Sequence, residues 1–141
     1  MSSAVRKHIE VRSAYNAELF RCERPWAAIS ISTLGDFPVM SEDTRKGLLQ
    51  LTFADTADPD RSDSFTSSLA TELLDFVDEM WDCVEVLLIH CEAGLSRSPG
   101  VAAALSQIHY GDDGPWFEHD FPNGLVYRLL VDENRRRSAK A

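Results

Sequence analysis

The stretch VLLIHCEAGLSRSPG, residues 86–100, joins an apolar run to a cysteine, an arginine, two glycines and two serines. Residues 84–91 are apolar almost throughout, which is typical of a strand that is covered on both faces of a parallel sheet. After the glycine-serine turn, apolar side chains return at helical spacing, at Val101, Leu105 and Ile108. Pro99 fits only the first turn of such a helix, where its missing N–H costs little. The stretch therefore predicts a strand, a tight turn and a helix.

The rest of the sequence alternates between strand and helix patterns. Short apolar or β-branched runs predict strands at 8–11, 26–32 and 48–53. N-cap residues and apolar stripes predict helices at 41–47, at 66–82 and from Pro122 onward. Residues 109–120 are expected to form a loop. The alternation predicts a single α/β domain over residues 1–141, with a central, mostly parallel sheet of four or five strands flanked by helices.

Composition narrows the possible functions. The net charge of −9 argues against general nucleic-acid binding and against docking on anionic membranes. The N-terminus lacks a signal-like apolar segment, and no apolar run is long enough to span a membrane. Three cysteines, an odd number, favour a reducing cytoplasm. Cys83 and Cys91 flank the predicted strand and cannot pair, whereas the position of Cys22 relative to either stays open.

The turn after the strand has the features of an anion site. Ligands of open α/β sheets bind beyond the carboxyl ends of the strands. The polar residues of both LTFAD and LIHCEAG are predicted to lie at that edge of the sheet. Backbone N–H groups in a turn that enters a helix can cradle an anion, with help from the helix dipole. Arg97 adds a two-pronged grip on a tetrahedral oxyanion. The same surroundings favour the thiolate of Cys91, which is the nucleophilic form. The loop is thus predicted to bind a phosphoryl group and to attack its phosphorus.

The segment HCEAGLSRS matches, at every defined position, the HCxxGxxR[S/T] signature, and the chain thereby resembles the cysteine-dependent protein tyrosine and dual-specificity phosphatases. The resemblance extends more loosely over about residues 45–131, through LTFADT, SFTSSLATELLDFVDEMW and SRSPGVAAAL. The first 40 residues match little of that family. The short chain is more similar to the compact dual-specificity type of bacteria and phages than to a classical tyrosine phosphatase domain.

The resemblance implies a role for each residue of the loop. Cys91 would be the nucleophile that forms a phosphocysteine, and Arg97 would bind the phosphoryl oxygens. Ser98 would donate a hydrogen bond to the sulfur, and His90 would support the loop. The cradle would be lined by the main-chain N–H groups of Glu92, Ala93, Gly94, Leu95, Ser96 and Arg97.

The reaction also needs a carboxyl group that protonates the leaving oxygen and later deprotonates water. The polar loop after the third predicted strand offers Asp55, Asp58, Asp60 and Asp63. Asp55 lies just past the strand end, which suits the family's general acid, and Asp58 is the next candidate.

These observations predict a cytoplasmic protein phosphatase that hydrolyses phosphotyrosine, with phosphoserine and phosphothreonine as further substrates. No cofactor or metal ion is expected, and the partner is a phosphoprotein or phosphopeptide rather than nucleic acid or membrane. The main alternative is a pseudophosphatase that binds phosphoryl groups without turnover. A buried structural cysteine and a rhodanese-like sulfur transferase explain the loop less well. The oligomeric state stays open.

Overall fold

A computed structural model describes residues 7–140 as a layered arrangement of four strands and five helices. The strands are β1 (His8–Ser13), β2 (Trp26–Ser32), β3 (Arg45–Thr52) and β4 (Val86–Cys91). The helices are α1 (Ala14–Glu18), α2 (Ser67–Met80), α3 (Arg97–Tyr110), α4 (Gly114–His119) and α5 (Gly124–Lys140). None of the helices in this part of the chain is long and apolar enough to cross a membrane.

The four strands form one sheet in the order β1-β4-β2-β3, and every neighbouring pair is parallel. The predicted α/β class with a parallel central sheet is therefore confirmed. β4 lies between β1 and β2, so that its last residue, Cys91, ends in the middle of the carboxyl edge. Loops that follow the other strands converge on this edge, where ligands of parallel sheets bind.

Alternation along β4 sends neighbouring side chains to opposite faces of the sheet. Leu87, Ile89 and Cys91 face the larger core, which is built with α2, α3 and α5. Val86 and Leu88 belong to a smaller apolar cluster on the other face, together with residues of α1 and the loop before β3. Both faces are covered, which explains why this strand is apolar almost throughout.

Two predicted elements were wrong. Residues 41–47 do not form a helix: a turn at Asp43 and Thr44, the latter with φ +59°, leads directly into β3. Trp26 accounts for this, because its backbone N–H donates to the Thr44 carbonyl and its indole N–H to the Asp43 carbonyl. These tertiary contacts override the local helix signal of the capping serine.

The predicted loop at 109–120 contains the short helix α4 instead. Pro115 lies in its first turn, a position that suits proline. Trp116 then packs against the larger core and donates from its indole N–H to the Ser106 hydroxyl at 2.9 Å. The last helix begins at Gly124, two residues later than predicted, and α1 was not predicted at all.

Candidate active site

The loop between β4 and α3 holds the residues of the quoted stretch in a tight turn. Gly94 has φ +75°, a region that side chains other than glycine rarely adopt. A Cβ atom at Gly94 would also lie 2.9 Å from the backbone of Arg12 and of Ser13 at the end of β1. Glycine is therefore required twice here, once for the turn and once for the close approach of the neighbouring strand.

Cys91 is buried at the base of this loop. Its sulfur accepts a hydrogen bond from the Gly94 backbone N–H at 3.2 Å and lies 3.1 Å from the Ser98 hydroxyl oxygen. Between the sulfur and the Ser98 hydroxyl, either group can be the donor. The first N–H groups of α3 have no partner within the helix, so they and the helix dipole are available to an anion at this end of the loop.

Arg97 is the first residue of α3, and its guanidinium is buried beneath the loop. Nη1 donates to the Phe53 carbonyl at 2.8 Å and to the Thr33 hydroxyl at 3.0 Å, while Nη2 donates to Glu92 at 2.6 Å. The residue is only 5% exposed, yet Nε has no hydrogen-bond partner among the described residues. A guanidinium has five N–H donors, so Nε–H and the second Nη2 hydrogen remain. These two form a parallel pair that matches two oxygens of one tetrahedral anion.

Glu92 follows Cys91 directly and fixes the outer side of this guanidinium. Besides the bond from Arg97, its carboxylate accepts from the Thr33 hydroxyl at 2.9 Å and from the Thr33 backbone N–H at 3.4 Å. The hydrogen bonds from Arg97, and then from Thr33, lower the pKa of Glu92 below its usual value. The carboxylate is therefore ionised at neutral pH.

Asp55 lies three residues after the end of β3 and contacts the far end of the same loop. Its Oδ1 accepts from the Ser96 hydroxyl at 2.8 Å and from the Asn123 side-chain amide at 2.9 Å. The Ser96 hydroxyl makes this bond instead of capping α3. Asn123 also donates to the Thr56 carbonyl at 3.2 Å, and its Oδ1 accepts from the Val126 N–H at the start of α5. The side-chain amide thus joins the acid-bearing loop to the last helix, and the Asn123 backbone N–H donates to the Ser96 carbonyl of the cysteine loop at 2.9 Å.

No protein-family model matches the sequence, and no curated protein matches it either. Solved structures do match. Human DUSP28 superposes with a TM-score of 0.65 at 17% identity over 94% of this chain and 95% of that one. A mouse protein described as a dual specificity phosphatase and complexed with zinc tungstate gives 0.61 at 18% identity, over 99% and 94%. The human tyrosine phosphatase-like serine/threonine/tyrosine-interacting protein gives 0.56 at 17% identity, over 82% and 78%.

The chain has the dual-specificity phosphatase fold. At such low identity the likeness concerns the fold, and the site must be judged from its own residues.

Within this phosphatase fold, the side chains of the other predicted acids make their hydrogen bonds elsewhere. Asp58 accepts from the Asp60 N–H at 2.9 Å, inside its own turn. Asp63 pairs with Arg61, which lowers the pKa of Asp63. Of the four candidates, Asp55 alone has a hydrogen bond to the cysteine loop in the described part of the chain.

His90 points to the opposite face of the sheet from Cys91. Its Nδ1 lies 3.3 Å from the Cys91 carbonyl, and its Nε2 hydrogen-bonds to the Ser30 hydroxyl. A carbonyl can only accept, so Nδ1 carries the proton and Nε2 accepts from Ser30. Burial lowers the pKa of His90, which keeps the ring neutral. These contacts are consistent with a structural role for His90 in supporting the end of β4.

Three contributors to the site were not predicted: Thr33, Phe53 through its carbonyl, and Asn123. Thr33 and Phe53 each follow the last residue of a parallel strand, so their place at the carboxyl edge could have been read from the strand ends. Asn123 was hidden in the turn-like stretch FPNG. It reaches the loop because Gly100 of α3 lets the Asn123 backbone approach: a Cβ there would lie 3.0 Å from the Asn123 carbonyl oxygen.

The remaining cysteines are remote from Cys91. Cys22 precedes β2, and its carbonyl accepts from Thr44 just before β3. Cys83 precedes β4. Both therefore lie toward the amino edge of the parallel sheet, opposite Cys91, and all three cysteines are free. Among residues 7–140, no group of three or more His, Cys, Asp or Glu side chains is arranged to hold a metal ion.

Proposed function

We propose that this protein is a cysteine-dependent phosphatase that hydrolyses phosphomonoesters through a phosphocysteine. Phosphotyrosine in a protein or peptide is the main substrate class, and phosphoserine and phosphothreonine are further ones. The observation that carries the proposal is the unpartnered Nε–H of a buried Arg97 in the same loop as a buried, hydrogen-bonded Cys91. Buried donors are nearly always paired in proteins, so an anion is the expected partner.

In the first step, Arg97 and the N–H groups of residues 92–97 hold three phosphoryl oxygens. The Cys91 sulfur attacks phosphorus opposite the ester oxygen, the S–P bond forms, and the P–O bond to the leaving group breaks. Protonated Asp55 gives its proton to the departing oxygen. Charge that spreads over the transferred group is stabilised by the same donors that bind the ground state.

In the second step, water attacks the phosphocysteine and the S–P bond breaks. Asp55, now a carboxylate, removes the proton from the water, so one carboxyl group serves both steps. The Ser98 hydroxyl, 3.1 Å from the sulfur, donates to the thiolate as it leaves. Inorganic phosphate and the free enzyme result.

Two comparisons bear on this proposal. The mouse phosphatase of similar fold was complexed with tungstate, a tetrahedral oxyanion, which supports an oxyanion site in this fold. The human tyrosine phosphatase-like interacting protein carries a name that suits the alternative, a binding module without turnover. Asp55 and Ser98 favour the enzyme, because a protein that only binds phosphoryl groups needs neither. Free cysteines favour a cytoplasmic setting.

Hydrolysis of an aryl phosphate in the presence of a chelator tests the proposal directly. We expect turnover that Cys91→Ser abolishes, while the variant still binds phosphate. Ser98→Ala should slow the second step, so that acid quenching traps a phosphorylated Cys91 that mass spectrometry can locate. Binding by the wild type without any turnover would favour the alternative. Turnover that survives Cys91→Ser would refute the mechanism.

A further inference from the structure

The mouth of the cradle carries fixed negative charge. Glu92 is held by Arg97 and Thr33, yet its side chain is 52% exposed. Its carboxylate would therefore lie close to the parts of a substrate that surround the phosphoryl group. At the other end of the loop, the Asp55 carboxyl group is hydrogen-bonded to Ser96. A substrate must therefore enter between two acidic side chains.

Three described arginines belong to the loop or to the segments that contact it, and all three are already paired. Arg97 is the sole cation in residues 91–97 and is buried beneath the loop. Arg12, whose backbone touches Gly94, directs its side chain to Glu10 and to the Asn16 carbonyl. Arg61, in the loop that carries Asp55, forms a two-pronged pair with Asp63. The cradle would thus bind one phosphoryl group with inward-facing donors, and neither Arg12 nor Arg61 offers an unpaired guanidinium for a second one.

We propose that Glu92 is a specificity-determining residue whose carboxylate excludes substrates with a second phosphate beside the scissile one. The inference rests on the proposed function and narrows its substrate class to isolated phosphomonoesters with neutral or basic neighbours. Two side chains on one face of an extended peptide lie roughly 7 Å apart, so a second phosphate would come within a similar distance of the rim. Charges at roughly 8 Å near a protein surface change an equilibrium roughly 2- to 30-fold per unit charge.

The test compares Glu92→Gln with the wild type on matched peptides. Glutamine keeps an oxygen that accepts from Arg97 and Thr33 but removes the charge. One peptide carries a single phosphotyrosine, and two others carry a second phosphate two residues before or after it. The readout is the ratio of kcat/KM between singly and doubly phosphorylated peptides, which does not depend on how much activity the variant retains. Glu85→Gln makes the same charge change at the amino edge of the sheet and is the matched control.

We expect the wild type to prefer the singly phosphorylated peptide by roughly tenfold or more on at least one side. Glu92→Gln should reduce that preference severalfold, and Glu85→Gln should leave it unchanged. An unchanged preference in Glu92→Gln, or none in the wild type, overturns the inference. Dissociation constants for the same peptides, measured in a Cys91→Ser background, test the inference about Glu92 independently of the proposed enzymatic activity. If the wild type hydrolyses no peptide, the enzymatic proposal fails, and the Glu92 dependence of these constants still decides the inference. Binding of no peptide overturns both.

Discussion

Asn123 offers the sharpest test of how the acid-bearing loop is held. Its amide nitrogen donates to Asp55 and to the Thr56 carbonyl, while its amide oxygen caps α5. Serine at this position keeps a capping oxygen but loses both donors. Serine and asparagine are nearly equal as N-caps, so Asn123→Ser should separate the anchoring of Asp55 from the stability of the helix.

The size of the effect follows from the two lost bonds. Each hydrogen bond of this kind contributes roughly 0.5–1.5 kcal/mol. Asp55 is exposed and keeps its bond from Ser96, so we take about 1.4 kcal/mol as the loss of anchoring, which corresponds to roughly tenfold in rate. The loss should appear where protonation of the leaving group limits the reaction. An ester with a poor leaving group, such as phenyl phosphate, should therefore slow roughly tenfold, whereas p-nitrophenyl phosphate should slow much less.

The assay is kcat/KM for both esters, with thermal unfolding measured in parallel. Asn123→Ala is the contrast, because it loses the cap as well as the donors and should cost about 1 kcal/mol more in stability. The two variants should nevertheless show the same ratio between the esters. An equal loss for both esters in Asn123→Ser, or no loss for either, would mean that the amide does not position the acid.

Further predictions follow from the same geometry. Asp55→Asn should lower kcat roughly 10²- to 10⁴-fold, whereas Asp58→Asn should have little effect; steady-state kinetics that rank them the other way would reassign the acid. Gly94→Ala should destabilise the fold by about 2 kcal/mol or more, measured by urea unfolding, because of its positive φ and the 2.9 Å approach of β1. Burial lowers the pKa of both His90 and His109, so protons bind the unfolded chain more readily. Stability should therefore be full above the unfolded pKa of about 6.5 and fall as the pH drops below it; unfolding curves that do not change from pH 7 to 5 would contradict this.

Much of the cysteine loop could be predicted because its signals are local. An apolar run, a turn of small residues and helical spacing within residues 86–100 specify the strand, the turn and the helix without help from distant residues. The turn before β3 could not be predicted in this way. The contacts that hold Asp43 and Thr44 come from Trp26, and they outweigh a plausible local cap.

The contacts between loops could not be predicted from the sequence for a different reason. The strand order β1-β4-β2-β3 determines which loops become neighbours, and no local pattern encodes that order. Thr33 becomes a partner of Arg97 because β2 lies next to β4. Asn123 becomes a partner of Asp55 because α5 packs against α3 at Gly100. Cys91 and Arg97 could thus be identified from one segment, while the partners of Arg97 and Asp55, namely Thr33, Phe53 and Asn123, come from three others.

The arrangement also accounts for how a chain with a net charge of −9 would hold the anion that we propose. Arg97 is buried and paired with Glu92 at 2.6 Å, so the loop presents no net positive charge to an approaching ligand, and the exposed part of the pair is the Glu92 carboxylate. Attraction must therefore come from donors that act at short range: the remaining guanidinium hydrogens, the loop N–H groups and the first turn of α3. Such donors bind a tetrahedral group that fits among them and exert little long-range electrostatic attraction on other anions. An acidic surface with this cradle would therefore bind its proposed ligand through shape and hydrogen bonding, because its net field attracts no anion.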